Sequence, residues 1–329
     1  MPRAHFGTRK FLKMVEKHRV FCANCRMERL LLDGAEILKF KAGASTYLLN
    51  PKEGARLVNW NISMADGVVR DIIYWDENAP LSGADFVSAS GGMFPMFPFG
   101  GPSYVDGKKG FWKSPDGRVL PMKLHGYAYD GVFETVFSSD FDIRLRLVPS
   151  DALREAYPYK CEFFVHYRFG ELSFSCELIL SNESPEKIPW GCALHPYFYL
   201  PWIGGTSRKN YRLLSDAKKA FSFDGATGTS SPADIFKNSF DDPSMVNKVW
   251  TSLKQASAKF GPKNGEEDII VKIGGGGKEL GASFITWSKP DAPFYCVEPW
   301  MSPPNSAAKP VHFVEAGETK SFSAEFSLI

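Results

Sequence analysis

This sequence has no uninterrupted apolar run near the roughly 18 residues that a membrane helix requires. That absence excludes a helical span. Its net charge is only +2, so nothing in the charge argues for a nucleic-acid partner. Heptads, internal repeats and low-complexity blocks are also missing, which sets aside coiled coils and solenoids. Histidine is scarce, with six copies at positions 5, 18, 125, 166, 195 and 312. For a lone histidine, a satisfied structural role is the default. Six cysteines include one close pair, Cys22 and Cys25, with His18 four residues upstream. A structural zinc site takes four ligands, and a second pair is lacking, so two free thiols in a disordered leader are expected. Cys161, Cys176, Cys192 and Cys296 lie in apolar stretches and read as reduced core thiols. A reducing, cytoplasmic location fits that usage.

Apolar and aromatic residues are plentiful. The chain has 329 residues, 44% of them hydrophobic and 14% aromatic. That is ample for a large core, and an aromatic excess is common in β-rich carbohydrate binders. Charge is uneven: residues 1–26 hold seven Lys/Arg against one acidic residue. Within them Phe11, Leu12, Met14 and Val15 are interrupted by Lys13 and Glu16, which is not a signal peptide. Met27 is the economical working start. Residues 1–29 are expected to form a basic, poorly ordered extension, and 30–329 one large domain.

From about residue 36 the dominant pattern is short β-type segments between turn residues. Ser45 to Leu49, Val68 to Trp75, Phe141 to Val148, Phe163 to Phe169 and Phe174 to Leu180 are examples. Asp268 to Ile273, Ala282 to Trp287, Phe294 to Val297 and Ser321 to Leu328 continue it. Asn50-Pro51, Asp66-Gly67, Asp116-Gly117, Asp224-Gly225 and the glycines at 274–277 punctuate these runs. Helical periodicity is weak, and its best candidate is Pro243 to Ala256. Many short strands predict an all-β sandwich or barrel.

Three places combine an ionisable side chain with stiff or aromatic neighbours. They are Leu-His-Gly-Tyr at 124–127, His-Pro-Tyr-Phe at 195–198 and Val-Glu-Pro-Trp at 297–300. Proline after His195 and after Glu298 pushes each out of helical backbone, so both side chains should project from extended chain. Gly126 beside His125 reads as room for a ligand. Glu298 ends an apolar strand, where a buried carboxylate needs a reason. A salt bridge with Arg56 or Arg168 is the structural alternative.

The order of marks resembles the aldose 1-epimerase (galactose mutarotase) superfamily over most of residues 30–329. The marks are NPKEGARLVNW at 50–60, GGMFPMFPFG at 91–100, LHGYAYD at 124–130, YPYKCEFFVHYRF at 157–169, LHPYF at 194–198 and CVEPWMSPPN at 296–305. The resemblance implies a large antiparallel β-sandwich of the galactose mutarotase type, with a sugar site on a concave face. It implies His195 as general acid, Glu298 as general base and His125 as the second histidine. It implies an acidic sugar-binding residue at Asp241 or Asp242. Trp300 and Phe99 are offered as apolar or stacking surface, with core packing the alternative. Family members commonly carry an arginine where this chain has Ser88 to Gly92; Arg56 or Lys123 is the candidate substitute.

The implied reaction interconverts α and β anomers of an aldose by acid/base opening and reclosure of the ring. It needs no metal, nucleotide or other cofactor. The implied partner is a monosaccharide or a sugar phosphate, with no nucleic acid or membrane; Lys108, Lys109 and Lys113 lie in a loop that either meets a phosphate or is simply solvated. Three other readings stand beside it. One is a non-catalytic carbohydrate-binding protein of the same fold. Another is a metal site of His125, His195 and Glu298. The last is a lyase or hydrolase, although hydrolysis usually needs two flanking carboxylates.

Overall fold

The computed structural model describes residues 25–265, 267–275 and 281–329. Among them an 18-stranded sheet carries most of the chain, with three two-stranded additions. Alternation explains the packing. Strand Ser173–Asn182 buries Phe174, Cys176, Leu178 and Leu180. It pairs antiparallel with Thr319–Leu328, setting Phe174 against Phe326 and Leu178 against Phe322. Across the core Phe174 meets Trp60 edge-on at 5.5 Å. Phe326 meets Phe198 at 6.2 Å. These partners come from strands that are not ladder neighbours, so the sheet folds over itself and seals a core between two layers. The expected large antiparallel sandwich is what forms.

Two regions differ from the sequence expectation. Pro243 to Ala256 is not a helix: Pro243–Met245 is one 3₁₀ turn, and Lys248–Pro262 is a strand. Val249 and Trp250 pair with Phe221 and Ala220 on one side, and with Ile285 and Phe284 on the other. A ladder on both edges outweighs a weak helical pattern, and Asn247 at φ 56° breaks the helical path.

The second difference is near the start. Strand Cys25–Leu32 pairs with Ala35–Ala42, and Met27 faces Phe40. Residues 25–29, assigned above to the extension, therefore belong to the sheet. Cys25 is disulfide-bonded, which corrects the free-thiol reading; a strand fixes the cysteine in place where a disordered leader would not. Cys22 and the rest of residues 1–24 lie outside the described residues. Cys161, Cys176, Cys192 and Cys296 are free.

Strands Ala193–Tyr199 and Phe294–Trp300 pair antiparallel and show different faces to two clusters. Leu194, Phe198, Tyr295 and Val297 enter the core between the layers. Ala193, Tyr197, Phe294, Cys296 and Trp300 join a smaller aromatic cluster on the other face. Period-two alternation separates the two sets.

Candidate active site

The register of those strands builds the site. Ala193 pairs with Trp300, and Tyr197 with Cys296. His195 therefore stands opposite Glu298. On the next strand, Met93–Met96, Phe94 pairs with His195. On the other side, in Ser283–Trp287, Ile285 pairs with Glu298. One row across four strands thus reads Phe94, His195, Glu298, Ile285. Both proline-flanked residues sit in extended backbone, as expected.

This row floors a cavity of about 440 Å³ whose walls include Arg56, His125, Tyr129, Trp287 and Trp300. His195 Nε2 lies 3.5 Å from Glu298 Oε1, with side chains 7% and 3% exposed. Trp300 Nε1 donates to Glu298 Oε2 at 3.0 Å. The His195 ring lies over Phe94 at 4.8 Å and stacks on Tyr197 at 4.7 Å. Its Nδ1 is buried without a hydrogen-bond partner among the described residues. Such an orphaned polar atom normally costs stability.

His125 meets His195 edge-on, with ring centroids 5.3 Å apart. Its backbone is left-handed, at φ 64°. Its Nδ1 accepts the Gly101 N–H at 3.2 Å, so the neutral ring carries its proton on Nε2. Gly126 serves the backbone rather than a ligand: at φ 74° any Cβ there would sit 2.0 Å from Phe97 O. That corrects the reading of this glycine.

Burial sets the electrostatics. It raises the Glu298 carboxyl to about 8, opposed by the Trp300 hydrogen bond. Burial, then the nearby His125 and Arg56, holds His195 well below its ordinary value. Burial brings His125 down to about 4. At neutral pH the pair is therefore a carboxylic acid facing a neutral imidazole. A proton donor and a lone-pair acceptor stand side by side in an apolar-walled cavity.

Arg56 lies in the cavity wall. Its guanidinium donates to Phe86 O and Ala89 O at 2.6 and 2.9 Å. It also sits 5.0 Å from the Phe94 ring centroid. An arginine thus reaches the Ser88 to Gly92 segment from the strand Arg56–Ser63. Lys123 does not line the cavity; it pairs with Asp130 and covers the rings of Tyr127 and Tyr129. The alternative salt bridge for Glu298 does not form, since its carboxylate contacts His195 and Trp300.

Three expected residues fall elsewhere. Asp242 caps the 3₁₀ turn, accepting Ser244 N at 2.8 Å. Asp241 takes the Ser239 hydroxyl. Both are satisfied locally, so neither supplies an acid to the cavity. Phe99 is core, packed on Trp112 at 5.2 Å. Among the described residues lining the cavity, Glu298 is the one carboxylate. Phe94, Tyr129, Tyr197, Trp287 and Asn247 line it without having been singled out. Phe94 had a signal, since it lies inside the quoted GGMFPMFPFG run. Lys109 also lines the rim, donating to Gly225 O at 2.6 Å.

Comparison with known proteins gives the same frame. A galactose mutarotase-like protein from Clostridium acetobutylicum superposes with a TM-score of 0.74 at 15% identity, covering 93% of this chain and 99% of that one. The Slr1438 protein of Synechocystis sp. PCC 6803 gives 0.70 at 21% identity, over 92% and 95%. An uncharacterized Escherichia coli (strain K12) protein, YphB, is 24% identical over 155 residues, 43% of this chain and 48% of its own length. The chain thus spans about half the length of that curated relative. The sequence profile of the aldose 1-epimerase family matches residues 41–234. That stretch holds His125, His195 and Arg56, and the same fold carries Glu298 to them. The chain belongs to the aldose 1-epimerase family.

Proposed function

We propose that this protein is an aldose 1-epimerase, interconverting the α and β anomers of a monosaccharide or sugar phosphate. The observation that carries this reading is the His195–Glu298 pair facing across two strands at 3.5 Å on the floor of an aromatic-walled cavity. The pair holds one transferable proton. It rests on Glu298 and reaches His195 by a single transfer. Ring opening needs an acceptor for the anomeric hydroxyl proton and a donor for the ring oxygen; the pair offers both. With the proton on His195, Glu298 is the base and His195 the acid, the roles the family resemblance implies. Rotation about the adjacent carbon–carbon bond and reclosure run the transfers in reverse. His125 Nε2–H serves as a fixed donor to a sugar oxygen, and Trp300 and Phe94 provide apolar surface for a sugar face. The free buried cysteines favour a cytoplasmic setting, while the disulfide at Cys25 runs against it.

The missing arginine at Ser88 to Gly92 favours a second reading, a carbohydrate-binding protein without catalysis. Arg56 in the cavity wall answers that objection. Anomer exchange by NMR on glucose, galactose and their 6-phosphates decides between the two. Exchange accelerated by the wild type and lost in Glu298→Gln supports the epimerase. Binding without acceleration supports the binder. Acceleration of the phosphates alone would place a phosphate near Lys109.

A further inference from the structure

Below the Glu298 row lies a group that the sugar reaction does not use. Cys296 is two residues before Glu298 on the same strand face, opposite Tyr197 and beside Trp287. It is fully buried and free. A ring nitrogen of His195, the Cys296 thiol and a Glu298 oxygen lie within 4.8 Å of one another. We propose that His195, Cys296 and Glu298 form a binding site for a borderline-soft divalent cation, zinc above all, whose occupation switches the protein off.

The geometry carries this. Tetrahedral zinc holds N, O and S donors at about 2.0–2.3 Å, which puts neighbouring donors roughly 3.5 Å apart. His195 Nε2 and Glu298 Oε1 already stand at 3.5 Å. Cys296 closes the set by a shift of roughly 1 Å. Two of the three donors, His195 and Glu298, line the cavity, from which water or a sugar hydroxyl would complete the shell. The mixed donor set selects the metal, because calcium and magnesium take all-oxygen shells whereas zinc accepts thiolate and imidazole together. Burial keeps the Cys296 thiol protonated. Binding must then release two protons to solvent per cation, one from the thiol and one from the Glu298 carboxyl. Inhibition follows from the function proposed above, because the cation would occupy both proton-transfer groups.

The test uses the full-length protein and cobalt(II) as a spectroscopic stand-in for zinc. One cobalt per chain is expected to give a near-ultraviolet thiolate-to-cobalt band and the visible bands of a tetrahedral ion. Cys296→Ser and Cys296→Ala are expected to lose the thiolate band while still unfolding cooperatively at a somewhat lower melting temperature, with anomer exchange within about twofold of wild type. Their sensitivity to zinc should fall at least about tenfold, the lower bound expected even for loss of an outer-shell partner. A band that persists in both variants, or no cobalt binding by the wild type, overturns the site. A site that binds while zinc leaves wild-type exchange unchanged overturns the switch. A metal-free protein that never accelerates exchange is a failure of the epimerase reading alone, since the cobalt band is read without activity.

Discussion

His166 and His195 each face a glutamate across a strand ladder, and their surroundings are opposite. Each lies on the face of its strand that points away from the core, and each is directly opposed across the ladder by a glutamate. His166 pairs in register with Glu177; His195 stands opposite Glu298. The separations are similar, 3.8 Å and 3.5 Å. Around His166, however, Asp142 also bonds the ring and Arg168 approaches the same carboxylates. Burial pushes His166 down, but the bonds to Asp142 and Glu177 outweigh it and its net value is raised. Glu177 is lowered, mainly by the His166 hydrogen bond. That pair is ionic and satisfied. Around His195 the neighbours are aromatic rings, a second histidine and an arginine, and both members are driven neutral. The same two residue types at the same register thus give a structural ion pair in one place and a poised proton donor and acceptor in the other. What decides is whether further charges complete the set.

The largest contrast should be in turnover. Glu298→Gln and His195→Asn are each expected to lower anomer exchange by about 10²–10⁴-fold, the usual worth of one proton-transfer group. Glu177→Gln should leave the rate unchanged. Exchange measured by NMR on the three variants tests this, and near-normal turnover in Glu298→Gln would break the contrast.

Stability should show the reverse. Asp142→Asn removes a charged partner from the buried His166 and is expected to cost about 2–3 kcal/mol in urea unfolding. Glu298→Gln deletes a carboxyl whose ionisation burial opposes, so no such loss is expected near neutrality. Equal losses in both would mean that the His195 pair is also structural.

The pH dependence sharpens the comparison further. A carboxyl raised to about 8 keeps a proton in the folded state that the unfolded chain releases near its ordinary value. Its contribution to stability therefore falls as pH rises between about 4.5 and 8. The melting temperature of Glu298→Gln relative to wild type should climb from pH 5 to pH 9. Glu177 is lowered, so its contribution is present above about 4.5 and is lost as pH falls through its folded value. Glu177→Gln should thus be less stable than wild type at neutral pH and approach it in acid. For the rate, loss of the shared proton predicts a fall of about fivefold between pH 8 and 9, steepening toward tenfold per unit above that.

Local pattern and cross-strand geometry were unequally legible in the sequence. Alternation in Phe174 to Leu180 and Ser321 to Leu328 marked true strands, because each buries one face on its own. The Lys248–Pro262 strand has no clear local signature, since what fixes it is pairing with partners about 30 residues away on either side. His195 and Glu298 stood out through their prolines, but only the family resemblance linked them. Their contact depends on the register of two strands about a hundred residues apart, which no local pattern encodes. Asp241 and Asp242 rest on the family resemblance alone, which implies an acid between the two main motifs, and are satisfied within a turn. Arg56 lies in the motif at 50–60 and Phe94 in the run at 91–100, but no local feature of Phe94 separates a cavity wall from core packing.

The smallest effect concerns one hydrogen bond. Trp300 Nε1 is the donor that opposes burial at Glu298. Trp300→Phe keeps an aromatic face but removes that donor. A neutral acid loses less from this than a carboxylate, so the Glu298 value should rise further above 8. A bond to a charged acceptor is worth about 1.5–3 kcal/mol, and exposure to the cavity reduces that, so a rise of up to about one pH unit is expected. The alkaline limb of the exchange profile should move up by that amount. The parallel change in the other pair is Ser321→Ala, since Ser321 also lowers Glu177. It should shift acid stability and leave the exchange profile where it was. A Trp300→Phe profile that only falls in height, with its alkaline limb fixed, would mean that the tryptophan holds the sugar but does not tune the carboxyl.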